Sequence, residues 1–284
     1  MKRSIVALVL SLAACKTAPE VVADVTPPTV PQEEFTIVTQ SLSQVDVKYD
    51  GVIEAGSEDL TVESAKWEFV VDGVVKESGV AKLGLAAAAG QKTQFALTES
   101  LNYVKTHEEL EAMDARGGSL LLAMRGTLVV SVPVPAAGDK PAGKRTVELP
   151  FAKSREVRTP RLPHFKVIDF DAGRFSDTEV QATFHLGVEN LNPFQLSLSG
   201  IDYSVLLGGK EVSKGTIGAG ERVLAASTGV FDVTATLNEE SHGKDAAKIV
   251  KSLVVPYVLT GTVRAQLYAE PLEKRGDIKL KAQK

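Results

Sequence analysis

The sequence is poor in cysteine and has no excess of positive charge, and each shortage excludes a class of protein. One cysteine in 284 residues cannot form a disulfide framework. With 32 basic and 36 acidic residues, the formal charge of −4 argues against a nucleic-acid-binding protein, which normally has a basic face. Hydrophobic residues make up 44% of the chain, which excludes a wholly disordered protein. At roughly 100–200 residues per domain, the length predicts one or two domains.

Long apolar runs are also missing. Residues 5–12 form a short apolar stretch after the basic pair Lys2 and Arg3. This stretch is far shorter than the roughly 20 residues that a membrane-spanning helix requires, and no later segment approaches that length. A basic start followed by a short apolar stretch predicts an N-terminal targeting signal over residues 1–14.

The end of this signal resembles the lipobox of bacterial lipoproteins. The residues that carry the resemblance are Leu12, Ala13, Ala14 and Cys15. The resemblance implies that a signal peptidase recognises the first three of them and that Cys15 is acylated, which gives stable anchoring when two or three acyl chains are attached. The alternative is an ordinary signal peptide that is cut after Ala14. By resemblance to Gram-negative sorting rules, Lys16 implies the outer membrane, facing the periplasm.

Residues 15–33 are predicted to form a tether between the lipid-modified cysteine and the folded part. Four prolines interrupt this segment, at positions 19, 27, 28 and 31, and it has no helical or alternating pattern. Proline at this density favours an extended, semi-rigid spacer of ~3 Å per residue.

After the tether, one pattern of residues occurs twice at an offset of 136 positions. The matched pairs are Gly51 and Gly187, Leu60 and Leu196, Trp67 and Tyr203, Asp72-Gly73 and Gly208-Gly209, and Gly79 and Gly215, with Gly126 and Gly261 one residue out of step. Matches in the same order over about 80 positions predict two similar domains, residues 34–155 and 162–284. A proline-containing segment joins them.

Within each domain the dominant hydrophobic period is two, which is typical of half-buried antiparallel strands. Residues 180–189 alternate in this way, and residues 262–269 are predicted to continue as one alternating strand. The apolar run 120–123 favours a strand that is buried on both faces. Short strands with frequent turn signals predict a mainly β protein of two tandem antiparallel β-sandwich domains, immunoglobulin- or fibronectin-like.

Each domain also contains one predicted helix. Thr106 is placed to cap residues 108–115, with Glu109 completing a capping box and Gly117-Gly118 ending the helix. In the second domain, Asn238 or Ser241 precedes a helix over residues 245–253, which Pro256 is predicted to close.

Residues with catalytic or metal-binding chemistry form no recognised pattern. The four histidines, His107, His164, His185 and His242, have no second His or Cys at metal-ligand spacing, so no metal and no cofactor are predicted. The loop 138–146 has the glycines and lysine of a phosphate-binding loop, but Arg145 stands where Ser or Thr must bind magnesium, which favours a long hairpin loop. No catalytic residue is predicted, and an enzyme is the least favoured class.

A segment of the second domain resembles the late-embryogenesis-abundant type 2 family, also described by the water stress and hypersensitive response (WHy) domain. The residues that carry the resemblance are an Asn-Pro turn (Asn190, Asn192 and Pro193), a strand centred on Tyr203, and the Gly208-Gly209 hairpin. The first domain lacks the Asn-Pro turn. The resemblance implies a two-sheet β-sandwich with one helix and a non-enzymatic role in desiccation and stress. Some family members resemble lipid-binding modules at membranes.

The leading hypothesis is therefore a non-catalytic, lipid-anchored envelope protein that binds or protects envelope components under water stress. One alternative is a module that binds or transfers lipids or other hydrophobic ligands between membranes, since the aliphatic residues could line a groove between the sheets. Another is a periplasmic adaptor that docks partner proteins through strand edges. The expected partners are thus the membrane, through the anchor, and a lipid or protein ligand, but no nucleic acid. The oligomeric state does not follow from the sequence.

Overall fold

The computed structural model describes residues 26–134 and 142–280, excluding the side chains of residues 174 and 175. The predicted signal, with Leu12, Ala13, Ala14 and Cys15, lies outside the described residues, as does most of the predicted tether and part of the loop 138–146. None of the helices within the described ranges has the length and apolar composition that a bilayer-spanning helix needs.

Residues 29–134 and 143–158 form two antiparallel sheets and one helix, called here the first sandwich. The smaller sheet has the order β1-β2-β5 and the larger one β4-β3-β6-β7. The elements are β1 (Thr29–Gln40), β2 (Gln44–Glu54), β3 (Leu60–Val71), β4 (Val74–Ala87), β5 (Lys92–Asn102), α1 (His107–Arg116), β6 (Ser119–Val134) and β7 (Gly143–Arg158). Contacts of β1 with β7 and of β4 with β5 join the two sheets at both edges.

Residues 164–279 form a second pair of antiparallel sheets, called here the second sandwich. One sheet has the order β13-β9-β8, and the other β11-β10-β14-β15, with β12 also paired to β10. The elements are β8 (His164–Ser176), β9 (Glu179–Asn190), β10 (Leu196–Leu207), β11 (Lys210–Ile217), β12 (Arg222–Val223), β13 (Ser227–Asn238), α2 (Glu239–His242), α3 (Lys244–Val250), β14 (Val254–Ala265) and β15 (Tyr268–Lys279). The predicted mainly β, antiparallel sandwich fold is confirmed.

The strands form because alternate side chains are apolar and turn towards the facing sheet. In β2, Val45, Val47 and Tyr49 are completely buried, as the alternation predicts. An aromatic cluster fills each sandwich: the rings of Tyr49 and Phe151 are 4.9 Å apart in the first, and those of Phe184 and Tyr257 are 5.1 Å apart in the second. Such pairs add about 0.5–1.5 kcal/mol each to the burial of their surface.

Both two-residue hairpins predicted from sequence are present. Asp72 and Gly73 connect β3 to β4 with φ values of 48° and 85°, and Gly208 and Gly209 connect β10 to β11 with φ values of 56° and 78°. Two consecutive positive φ values match the right-handed twist of the flanking strands, which explains the glycines at these positions.

Both predicted helical regions are present, but only the first follows its prediction closely. Thr106 caps α1, because its hydroxyl accepts from the backbone N–H of Glu109 at 3.2 Å, and Gly117 is the C-cap. In the second sandwich the helical segment is divided at Gly243, whose φ is 80°, into α2, capped by Asn238, and α3. The predicted extension to residue 253 is wrong, and Pro256 lies inside β14 rather than at a helix end.

Two strand predictions are also wrong. The run 120–123 is not buried on both faces, since Leu120 and Leu122 are fully buried while Leu121 is 49% exposed. Residues 262–269 are not one strand, because the chain reverses after Ala265 and Leu267 adopts a φ of 57°. Neither Gln266 nor Leu267 is a usual hairpin residue, so the sequence carried no turn signal there.

The folded part also begins earlier than the predicted boundary at residue 34. Strand β1 starts at Thr29, inside the predicted tether, and β7 continues to Arg158 instead of ending near residue 155. An edge strand tolerates the proline at position 31, because one side of its backbone needs no partner. The stretch between the sandwiches is therefore short, from Thr159 to Pro163.

Candidate functional site

The Asn-Pro turn of the second sandwich contains a buried amide network. Asn190 is fully buried, and its Nδ2 lies 2.8 Å from the carbonyl oxygen of Phe194, 3.0 Å from that of Leu224 and 3.2 Å from that of Val223. Its Oδ1 accepts from the backbone N–H of Asn192 at 3.0 Å. A buried amide must satisfy both ends, so Asn190 fixes the turn after β9 against β12.

Asn192 extends this network to the segment between the sandwiches. Its Oδ1 accepts from the backbone N–H of Arg161 at 2.7 Å, and its Nδ2 donates to the carbonyl oxygen of the same residue at 2.8 Å. The fully buried side chain thus bonds one linker residue through both of its backbone groups, as a neighbouring strand would. The turn motif therefore holds the linker on the second sandwich.

The same linker is also bonded to the first sandwich. Asp114 of α1 accepts from the Arg161 guanidinium at 2.5 Å and from the backbone N–H of Leu162 at 3.2 Å. The hydroxyl of Thr159 donates to the carbonyl of Gly117 at 3.0 Å. Side chains of both sandwiches therefore form hydrogen bonds to this short segment. The linker is an ordered part of the fold and not a loose connection between domains.

A direct contact joins α1 to the β14–β15 hairpin. The Nδ1 atom of His107 is 3.0 Å from the carbonyl oxygen of Leu267, and its ring stacks on Tyr268 with a centroid distance of 5.6 Å. Tyr268 in turn stacks on Phe165 of β8 at 6.1 Å. The unusual turn at Leu267 thereby presents its carbonyl and the adjacent aromatic ring to the first sandwich.

Beside this junction lies a cleft of about 730 Å³, called here the junction cleft. The first sandwich contributes residues 37–41 and 155–158, and the second contributes residues 193–195, Ser197 and Arg222. A volume of this order is typical of small-molecule sites, which range over roughly 300–1,000 Å³. The Asn-Pro turn thus forms part of one wall.

The described arginines that lack an ion-pair partner all lie at the junction cleft. Nine arginine side chains are described, and six of them form ion pairs: Arg116, Arg125, Arg145, Arg161, Arg264 and Arg275. The other three, Arg155, Arg158 and Arg222, have no ion-pair partner within the described ranges, and all three line this cleft. The acidic lining residue, Glu156, accepts a hydrogen bond from the hydroxyl of Ser119.

A second cluster of polar side chains surrounds His185 on the outer face of the β13-β9-β8 sheet. Its Nδ1 is 2.7 Å from Asp232, and its Nε2 lies 3.5 Å from Asp171 and 4.0 Å from Asp169. The hydrogen bond to Asp232 raises the pKa of His185. The sequence pattern predicted that this histidine lies on the solvent-exposed face of its strand. It did not reveal the carboxylates that the neighbouring strands place beside it.

The remaining histidines are dispersed in the fold. His107 begins α1, His164 begins β8, and His242 ends α2, where its Nδ1 is buried without a hydrogen bond to any described residue. No group of three or more His, Cys, Asp or Glu side chains in residues 26–134 and 142–280 has a geometry that could hold a metal ion.

The paired glycines of the sequence pattern lie at corresponding places in the two sandwiches. Trp67 is paired with Gly79 on one side and Gly126 on the other, and Tyr203 lies between Gly215 and Gly261 in the same way. A shallow groove crosses the strands at each position, of about 660 Å³ in the first sandwich and 560 Å³ in the second.

The sequence motif identified residues on one wall of the junction cleft, but it did not identify the arginines that line the cleft. Asn190, Asn192 and Pro193 were singled out as a structural turn, and the structure brings them to the junction. Arg155, Arg158 and Arg222 carried no signal, since they are ordinary charged residues near strand ends that become neighbours only when both sandwiches are folded.

The comparisons with known proteins concern mainly the second sandwich. Residues 185–276, about a third of the chain, match the LEA_2 family model, described as late embryogenesis abundant protein. This match supports the family resemblance on which the Asn-Pro turn was singled out. No curated protein gave a significant match to the chain.

Solved structures show only distant similarity. A protein from Archaeoglobus fulgidus aligns over its whole length with 47% of this chain, at 12% identity and a TM-score of 0.33. Red sea bream transglutaminase aligns with 89% of this chain over 31% of its own length, at 11% identity and a TM-score of 0.26. A β-galacturonidase from Eisenbergiella tayi aligns with 87% of this chain over 43% of its own length, at 12% identity and a TM-score of 0.26. The chain spans less than half of either enzyme, and TM-scores this low carry no argument about function.

Proposed function

We propose that this chain is a non-catalytic, lipid-anchored protein of the bacterial cell envelope that binds or protects envelope components under water stress. The match of residues 185–276 to the late embryogenesis abundant model carries the proposal. That family is associated with stress and desiccation and is generally non-enzymatic. The matched segment includes Asn192, which bonds the linker at Arg161, and Asn190, which bonds β12 and the Asn192 amide.

We also propose that the two sandwiches are tandem copies of one domain. The supporting observation is the shared strand row in which an aromatic residue, Trp67 or Tyr203, lies between two glycines. In both sandwiches, helical residues also precede the strand that supplies the second glycine of this row. Only the second copy has the Asn-Pro turn, so the copies have different roles at the junction.

Cys15 is the proposed anchor, and the outer membrane facing the periplasm is the proposed location. The described part begins at Thr26, whose carbonyl accepts from the backbone N–H of Ser57 at 3.1 Å. From there β1 runs 12 residues towards the junction, or ~40 Å at about 3.3 Å per residue. An anchored protein would therefore hold the junction cleft away from the point where the tether enters the fold.

Two measurements in the native host test this function. Mass spectrometry of the purified protein should find acyl chains on Cys15 and none in a Cys15→Ala variant. Ser11→Ala is the matched control, because it keeps the cysteine and should remain acylated. Survival after drying should fall when the protein is deleted and return with the wild-type protein but not with Cys15→Ala. A deletion strain that survives drying as well as its parent would contradict the stress role.

A further inference from the structure

We propose that the junction cleft binds a ligand that carries a phosphate group. Residues 37–41, 155–158 and 193–195, with Ser197 and Arg222, form this cleft, and both sandwiches contribute to it. The inference gives a ligand class to the binding role proposed above, and it rests on that proposed function for its biological meaning.

The first argument is the distribution of paired and unpaired arginines. Away from the cleft, each described arginine side chain has a carboxylate partner, for example Asp202 for Arg264 and Glu68 for Arg125. Arg155, Arg158 and Arg222 have none within the described part of the chain. Three cations that line one cleft without ion-pair partners repel one another, and an anion bound between them would reduce that repulsion.

The balance of charge favours a dianion. Three arginines and one glutamate give the lining a formal charge of +2, although the whole chain has a formal charge of −4. A phosphate ester carries about −1.5 to −2 charges at neutral pH and offers three strong acceptor oxygens. A single carboxylate has one charge and is satisfied by one guanidinium fork, so three arginines from two different strands suit a tetrahedral phosphate better.

Neutral donors are also available beside the arginines. Gln195 and Ser197 line the second wall, and their side chains have no hydrogen-bond partner among the described residues. In contrast, Ser41 and Gln40 on the first wall are already engaged, with the carbonyl oxygens of Gln44 and Arg158. The free donors therefore lie on the wall that the Asn-Pro turn forms.

The walls of the cleft are held by interactions that do not involve the arginine side chains. Arg222 directly precedes Val223, whose carbonyl oxygen bonds to the buried Asn190 amide at 3.2 Å. On the opposite wall, the carbonyl oxygen of Arg158 accepts from Gln40 at 3.3 Å. The backbone that carries these arginines is thus fixed before any ligand arrives, which lowers the entropic cost of binding.

Titration calorimetry with inorganic phosphate on the full chain tests the proposal at constant ionic strength. The wild-type protein should bind phosphate saturably and should not bind acetate. Arg158→Gln and Arg222→Gln should each weaken phosphate binding by at least about tenfold, which is the loss of one charge-assisted contact. Arg275→Gln is the matched control, because it removes the same charge from an exposed arginine that is paired with Glu273 outside the cleft.

Two further probes separate the sources of the phosphate group. Glycerol 3-phosphate represents a free phosphate ester, and phosphatidylcholine vesicles with and without phosphatidic acid represent a lipid headgroup. The vesicles are used with the full chain carrying Cys15→Ala, so that acyl chains do not contribute to binding. Binding of either probe that falls in Arg158→Gln and Arg222→Gln but not in Arg275→Gln supports the proposal and assigns the source.

Three results would overturn the proposal. These are an absence of saturable phosphate binding to the wild-type protein, acetate binding of equal strength, and an equal loss of affinity in Arg275→Gln. Melting temperatures of all variants should lie close together, because Arg158 and Arg222 are exposed and unpaired and Arg275 forms only an exposed ion pair, so a loss of binding would not reflect unfolding. Failure of this test leaves acylation and survival after drying unchanged, and the two proposals can therefore fail separately.

Discussion

At the scale of single residues, the two turn asparagines connect a local motif to distant parts of the chain. Asn190 and Asn192 are the buried asparagines of the core, and each uses both ends of its amide. A family-like turn motif would ordinarily be explained by local backbone geometry. Here its side chains reach across to β12 and to the linker, so local chemistry at the turn determines how a distant segment is held.

Asn192→Ala is expected to lower the free energy of unfolding by about 2 kcal/mol, because both backbone groups of Arg161 lose their partners and a buried space is left. Urea unfolding monitored by circular dichroism measures the loss. Gln195 lies in the same turn and is exposed, so Gln195→Ala should change the free energy of unfolding by less than about 0.5 kcal/mol. Equal stabilities of the two variants would show that the Asn192 bonds contribute nothing.

His185 gives a prediction about pH. Its pKa is raised in the folded protein by the hydrogen bond to Asp232, with a further contribution from Asp171. A raised folded pKa stabilises the protein below the unfolded pKa of about 6.5, and this contribution is lost as the pH rises through the folded value. Asp232→Asn should lower the pKa of His185 in an NMR titration, whereas Asp245→Asn on α3 should leave it unchanged. An unaltered titration in Asp232→Asn would contradict the assignment.

At the scale of elements, the glycines in the middle of strands determine how closely neighbouring strands approach. A Cβ atom on Gly126 would lie 2.0 Å from the carbonyl oxygen of Lys66 and 2.7 Å from the ring of Phe151. Gly261 is similar, since a Cβ there would lie 2.3 Å from the carbonyl oxygen of Asp202. Because backbone atoms cannot move aside as side chains do, these strand pairs require glycine.

Gly126→Ala is therefore expected to destabilise the first sandwich by about 3 kcal/mol, the upper part of the usual range for overpacked cores. Gly261→Ala should have a comparable effect on the second sandwich. Gly143→Ala is the control, because a Cβ there meets no described atom within 4 Å and the backbone φ is not positive. Differential scanning calorimetry measures all three, and a Gly126→Ala protein as stable as Gly143→Ala would contradict the close approach.

At the scale of the whole molecule, the two sandwiches are connected by a linker that is hydrogen-bonded to both of them and by the His107–Tyr268 contact. Asp114 bonds Arg161 and Leu162 from one side, and Asn192 bonds Arg161 from the other. This arrangement predicts that the two sandwiches unfold together, because neither can lose its structure without releasing the junction.

Calorimetry of the wild-type chain should accordingly show one cooperative transition with equal van't Hoff and calorimetric enthalpies. Combining Asp114→Asn with Tyr268→Ala removes two independent junction contacts. The ratio of the van't Hoff enthalpy to the calorimetric enthalpy should then fall below one. A double variant with exposed substitutions elsewhere, Asp245→Asn and Leu224→Ala, should keep the ratio. Two separate transitions in the wild-type chain would show that the junction does not couple the sandwiches.

The sequence by itself determined the fold class, the two-residue hairpins and the capped helix α1, because each depends on neighbours within a few positions. A period of two produces a strand with one buried face, and the Asp72-Gly73 pair supplies the positive φ values of a tight turn. Predictions were wrong at the Leu267 turn, where no usual turn residue marks the reversal, and at the end of the second helical segment, which stops at Val250 rather than at residue 253.

Only the tertiary structure determined the junction cleft. Its arginines come from β7 and β12, which are more than sixty positions apart in the chain, and nothing in their local sequence distinguishes them from paired surface arginines. What distinguishes them is the absence of a carboxylate partner among the described residues, which no local sequence pattern shows. Local sequence fixes backbone conformation over a few residues, whereas electrostatic environment depends on every charge brought near by folding.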